Sequence, residues 1–193
     1  MKRLGSVLVF CLVLLEASVA GSYRVRAEDS NVGFTVMKWV VFKEEGRFKD
    51  YHGLINYDRN APRNTSVDFT VKTASIDSRN SDRDNVIRGR EFLDASRFPT
   101  LRFKSVSAEP HGSDTLMITG DFTIRDVTKR ITIPVRISGV SRVGDLGEVV
   151  GFETSFTVDR EDYGVATGMS MLGKDVTIHM IIGAATGSSS ASR

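Results

Sequence analysis

Cysteine is nearly missing from this 193-residue chain, which has one, Cys11. A single thiol cannot form a disulfide within the chain, and at that position it sits in an N-terminal segment read below as removable, which excludes a Cys/His catalytic pair from the remainder. Histidine is scarce too, at three. His52 and His111 fall in turn-like stretches, and His179 lies opposite the apolar row of the last strand. None has a His or Glu partner at i+2 or i+4, the spacing of a metal site, so no metal is expected. Long hydrophobic runs are absent: Val7 to Leu15 spans nine residues, against the roughly 20 that a membrane-spanning helix needs. An integral membrane protein is therefore not expected. Charge of one sign is also lacking, since 26 basic and 24 acidic side chains are interspersed. With no basic stripe, nucleic acid is not an expected partner. No phosphate loop or dinucleotide fingerprint occurs, because Gly144 and Gly147 lie in a turn with no helix to follow, and no cofactor is expected.

What is present begins with an export signal. Lys2 and Arg3, the apolar run, and then Ser18, Val19 and Ala20 make the three zones of a secretory peptide, residues 1–20, with cleavage expected after Ala20. Phe10 is too bulky for a lipoprotein cleavage site at Cys11. The remaining chain of about 173 residues is long enough to hold one domain by core burial alone. Its last stretch, residues 184–193, is rich in small residues and is expected to be a disordered tail.

Two-residue alternation recurs throughout and predicts strands with one buried face. Val32, Phe34 and Val36 form one row, and Val67, Phe69 and Val71 another. Leu101 and Phe103 follow Pro99. Leu116, Ile118, Phe122 and Ile124 alternate with polar residues, as do Ile131, Ile133, Val135 and Ile137. Phe152, Phe156 and Val158, then Val176, Ile178, Met180 and Ile182, complete the pattern. With weaker segments at Tyr23–Arg26 and Arg47–Tyr57, about eight strands are expected. Short turns between them favour antiparallel neighbours. The class is all-β, and the periodicity fits a sandwich or a closed barrel equally. Residues 78–97 break the alternation. Ser81 as N-cap with Asp84 as its capping-box partner predicts a short helical insertion near residues 81–97. Residues 159–174 read as a long loop with at most one helical turn.

The acids Asp159, Glu161 and Asp162 form the densest carboxylate cluster, a candidate general acid/base site. The competing reading is a solvated turn paired with Arg160. Eleven Phe make the apolar rows aromatic, and these rows either fill a core or line a pocket. If they line one, the ligand must be long. A buried methylene contributes about 0.8 kcal/mol, whereas association costs on the order of 4 to 15 kcal/mol.

Five ordered segments carry a resemblance: EGRFKDYHG (45–53), ASIDSRNSDRD (74–84), EFLDASRFPTLRFKS (91–105), TGDFTIRDVTK (119–129) and DREDYG (159–164). Over residues 23–182 the chain resembles the YceI-like family of exported lipid-binding proteins. The resemblance implies an eight-stranded antiparallel lipocalin-like barrel in residues 21–183 and a periplasmic location. It implies a long-chain isoprenoid, isoprenoid quinone or other apolar lipid as partner, no catalysis, and leaves a homodimer open. The implied lining is Phe34, Val36, Phe69, Val71, Ile76, Phe92, Leu101, Phe103, Phe122 and Phe156, with Met169, Met171 and Leu172 near the mouth. Arg83 and Asp84 match an Arg-Asp pair read as a structural cap. Where relatives commonly show histidines, this chain has Asp29, Trp39 and Val86, so no metal or headgroup role tied to them carries over. The rival functions are a lipid-modifying enzyme using the acids of residues 159–162 and a structural, stress-related envelope protein with no ligand.

Overall fold

The computed structural model describes residues 21–187; the expected signal peptide and its cleavage site, and residues 188–193, lie outside the described residues. Ten strands follow in order: β1 (Gly21–Lys38), β2 (Phe42–Phe48), β3 (Tyr51–Tyr57), β4 (Ser66–Lys72), β5 (Ile76–Asp77), β6 (Thr100–His111), β7 (Thr115–Ile124), β8 (Val127–Val143), β9 (Gly147–Asp159) and β10 (Leu172–Ala185). Among the described residues one α-helix, α1 (Ser81–Arg88), stands between β5 and β6.

Neighbouring strands run β10-β9-β8-β7-β6-β4-β3-β1, and pairing of β10 with β1 closes the ring. This closure decides for a barrel over a sandwich. The expected count of about eight and the ten observed strands are reconciled by two broken staves. β2 continues the line of β3 along β1, and β5 that of β4 along β2. The weak segment 23–26 and the row 32–36 are one strand, β1, carrying a register shift between Arg26 and Asn31. Extra residues at such a shift bend a strand, and this one sits where β2 gives way to β3.

Alternation translates directly into walls. On β7, Leu116, Ile118, Phe122 and Ile124 are buried, while Thr119 and Thr123 face outward and bond Thr132 and Thr128 on β8, each at 2.8 Å. Paired Arg102–Asp68 and Arg130–Asp121 side chains also span strands outside. Such cross-strand pairs contribute a few tenths of a kcal/mol upward; the buried rows, at about 1.5–3 kcal/mol per large side chain, dominate.

Two boundaries differ from the sequence reading. The helix ends at Arg88, and turns closed by bonds such as Asp94 N to Gly89 O at 2.9 Å carry the chain through residue 97. Its N-cap is Asn80, whose side chain accepts from the Arg83 amide at 2.9 Å. Asp84 accepts instead from the Ser78 amide and hydroxyl, at 2.8 and 2.6 Å, so it caps the turn before the helix. At the other end, residues 184–187 are not a disordered tail. Ala184 and Ala185 belong to β10, pair with Val25 and Arg24 and are fully buried. Their small side chains, which suggested disorder, fit where the barrel narrows.

Candidate ligand-binding cavity

The barrel is not filled. An inner chamber of about 110 Å³ and an outer one of about 390 Å³ abut at Phe34, Phe48, Leu101, Phe122 and Ile178. Strands alone build most of the inner wall, with Phe69, Val71, Phe103, Ile118, Val135, Phe152 and Phe156 among its side chains. Beyond it, Tyr23, Tyr57, Val150 and Ala184 are buried. The Tyr23 hydroxyl donates to the Glu148 carboxylate, and Tyr57 meets Phe152 edge-on at 5.9 Å. The outer chamber recruits segments other than strands: Val86 and Ile87 of α1, Phe92 and Leu93 of the following turns, and Val165, Met169 and Met171 of the β9–β10 loop.

Several rings of the wall pack against glycines. A Cβ on Gly46 would come within 2.4 Å of the Phe34 ring, one on Gly120 within 2.5 Å of Phe103, and one on Gly53 within 2.7 Å of Phe69. Each ring takes the space that a side chain opposite would occupy and leaves the centre open.

Polar groups concentrate at the rim, where Lys38, Glu44, Glu45, Arg83, Glu91 and Arg160 line the outer chamber. Arg83 donates to the Ser78 hydroxyl at 2.8 Å, the Ser78 carbonyl at 2.6 Å and the Glu44 carboxylate. It thereby ties β2 to the turn before α1. Arg160 corrects the reading of DREDYG as a solvated turn. It is 4% exposed and its guanidinium donates to the carbonyls of Gly173, Val165, Ala166, Met169 and Leu172. One planar cation with five N–H groups thus satisfies carbonyls that a loop would otherwise leave unpaired. The acids around it build the same turn. Glu161 takes the Lys174 ammonium at 2.9 Å and the Gly168 amide at 3.0 Å, and those bonds hold its carboxyl below the usual range. Asp159 accepts from the Glu161 amide at 2.8 Å, and Asp162 pairs with Lys129 at 2.8 Å. None of the three lies on the cavity wall. Tyr163 packs against Phe122, ring centres 5.8 Å apart, and burial, with Asp162 nearby, pushes its hydroxyl up to about 12.

The geometry brings the lining named from the sequence onto one surface. Phe69, Val71, Phe103 and Phe156 face the inner chamber, and Phe34, Leu101 and Phe122 face both. Val36, Ile76, Phe92, Met169, Met171 and Leu172 face the outer. Sequence reasoning missed Phe48, Ile55, Val86, Ile87, Val165 and the buried Arg160. The Gly46/Phe48 alternation signalled the first, and the helical spacing of Val86 and Ile87 marked that pair; nothing local signals the burial of Arg160. Among the described residues, no group of three or more His, Cys, Asp or Glu is placed to hold a metal ion, and no helix is long and apolar enough to cross a membrane.

An antiparallel ring sealed at one end and lined with hydrocarbon up to a polar mouth is a calyx-type β-barrel. A YceI-like domain matches residues 23–184, and the chain belongs to the YceI family. It is 29% identical to protein YceI of Salmonella newport over 177 residues, 91% of this chain and 92% of that one. Among solved structures it resembles the Campylobacter jejuni YCEI protein, with a TM-score of 0.72 and 28% identity over 77% of this chain and 88% of the other. Two others share the fold: Burkholderia cenocepacia BcnA (TM-score 0.76, 23% identity, 82% and 98% coverage) and a polyisoprenoid binding domain from Saccharophagus degradans implicated in plant cell wall breakdown (0.68, 12%, 87% and 99%).

Proposed function

We propose that this protein is a non-enzymatic periplasmic carrier of a long-chain apolar lipid, a polyisoprenoid or isoprenoid quinone, held in the barrel. The observation that carries the reading is the pair of adjoining aromatic and aliphatic voids, the outer of which, at about 390 Å³, is within the roughly 300–1,000 Å³ of ligand sites. An empty apolar void is costly to keep, and hydrocarbon is the chemistry that fills it without leaving polar groups unpaired. The polyisoprenoid binding domain with the same fold supports the choice of lipid, and the signal-like N-terminus supports export. Asp159, Glu161 and Asp162 are engaged in loop bonds away from the wall, which speaks against the lipid-modifying alternative; the void speaks against a filled structural barrel.

Native mass spectrometry of protein purified under mild conditions from its own host tests this. The expected spectrum carries an added mass in the range of a long-chain lipid, released on organic extraction. Uniformly empty protein, unable to take up lipid when offered it, would overturn the reading.

A further inference from the structure

The turn joining β1 to β2 presents Trp39, Val40, Val41 and Phe42 to solvent, at 56, 89, 75 and 63% exposure. None of the four belongs to the packed core. Trp39 and Val40 both take left-handed backbone, φ 56° and 64°, the conformation that hairpin turns ordinarily fill with Asn-Gly. For a β-branched residue such as Val40 it is an outlier. Folding alone favours neither these residue types nor their exposure, so the tip is shaped by something outside the barrel.

Its position says what. The Trp39 amide donates to the Met171 carbonyl at 2.8 Å, and Lys38 pairs with Leu172. Lys38, Met171 and Val86 line the outer chamber, and Met171 and Val86 are exposed as well. The hairpin's two carboxylates are neutralised, Glu44 by Arg83 and Glu45 by Lys43, so they do not oppose an anionic surface.

We propose that this tip docks the mouth of the barrel onto a lipid bilayer, with Trp39 at headgroup level and Val40, Val41 and Phe42 among the upper acyl chains. The inference rests on the lipid-carrier reading. Aromatic residues with a lysine beside them, here Lys38, suit the membrane interface. A convex tip sinks readily into a fluid, whereas a second protein would have to cover about 800 Å² per partner to bind stably. A chain leaving the bilayer at this point enters the outer chamber without crossing water.

Trp39 is the single tryptophan of the chain, so tryptophan-selective emission reports on the tip alone. With phosphatidylethanolamine–phosphatidylglycerol vesicles, emission should shift to the blue, be quenched by brominated acyl chains, and accompany co-sedimentation. W39N/V40G, which suits the left-handed turn, should melt no lower than wild type yet partition onto vesicles about a hundredfold less, roughly tenfold per apolar side chain lost. V41S/F42S keeps the reporter and should lose a similar factor together with the quenching. Wild type and both variants should take up farnesol delivered from cyclodextrin. Unchanged Trp39 emission with vesicles overturns the docking. A blue shift produced by protein concentration alone also overturns it, in favour of a second copy, and so does loss of farnesol uptake confined to the tip variants. Vesicle docking with neither farnesol nor a longer polyprenol taken up by any of the three proteins upholds the tip and sinks the carrier reading instead.

Discussion

The two ends of the barrel are made from the same alternating strands and differ in what crosses them. At the sealed end the ring narrows until Ala184 and Val150 are fully buried, and Tyr23 and Tyr57 close the remaining space while Tyr23 keeps its hydroxyl bonded to Glu148. At the open end nothing fills the centre. Helix α1, the turns after it and the β9–β10 loop stand around the hole, joined by the Ala166 amide bonding the Glu91 carbonyl at 2.7 Å. The sealed end is stabilised by what it contains, the open end by bonds made within its own wall. Keeping the space clear of the barrel's own side chains thus goes with polar fastening outside it, because apolar packing would close it.

The largest effect expected of a single substitution lies in the deep wall. Phe69, stacked on Tyr51 at 5.9 Å and 25°, is 6% exposed. Phe69→Asp removes an aromatic burial and leaves a carboxylate without a partner, a loss of more than about 3 kcal/mol. Unfolding in the melt, or a folded barrel without lipid, is the expected result; a wild-type melting temperature with normal loading would mean that the row faces outward. Next comes the fastening of the mouth. Arg160→Met keeps the stem and strands five carbonyls, some of which water can reach, a loss of about 2–3 kcal/mol. Hydrogen exchange should accelerate at residues 164–172 and leave 148–152 unchanged. Uniform acceleration at both ends would erase the distinction between them.

How far the sequence carries this picture depends on which end is considered. The deep wall was legible, since Val67/Phe69/Val71 and Leu116/Ile118/Phe122 report through alternation which side chains turn inward. Closure of the ring came only through the family resemblance, because pairing of β1 with β10 joins residues far apart in sequence and no local period records it. The mouth was read least well. Arg160 among three acids has the pattern of a solvated turn, and only the carbonyls of residues 165–173, brought round by the fold, make its burial tolerable. Ala184 and Ala185 carried a disorder signal because small residues mark both loose tails and tight closures.

A smaller effect tests how the wall stays clear. Gly46→Ala places a methyl where the Phe34 ring lies, and the ring can only give way toward the junction of the chambers. Affinity for a long-chain ligand should fall by about tenfold, the equivalent of roughly one buried side chain, with the melting temperature little changed. A larger drop in stability than in affinity would show that the ring has no free space to enter.

The smallest effect separates the two ends by pH. At the mouth, Lys174, then the Gly168 amide, hold the Glu161 carboxyl below its ordinary 4.5, and Lys49, then the Arg79 amide, lower Asp77 from 3.8 to about 2. Carboxyls depressed on folding stabilise above their unfolded values, and that contribution is lost as pH falls through the folded ones. At the sealed end the shift has the opposite sign: burial, then the bond to Glu148, raises the Tyr23 hydroxyl above its ordinary 10. Its contribution is complete below pH 10 and is lost as pH climbs beyond. Acid should therefore loosen the mouth first, whereas alkali acts on both ends, because Tyr163 at the mouth is raised as well, to about 12. Protection against exchange at residues 160–174 should fall as pH drops below 4.5, and the late-ionising tyrosine absorbance above pH 10 should shrink in Tyr23→Phe while the Tyr163 component stays. If acid accelerates exchange at 148–152 as early as at the loop, the fastening of the mouth does not reside in these carboxylates.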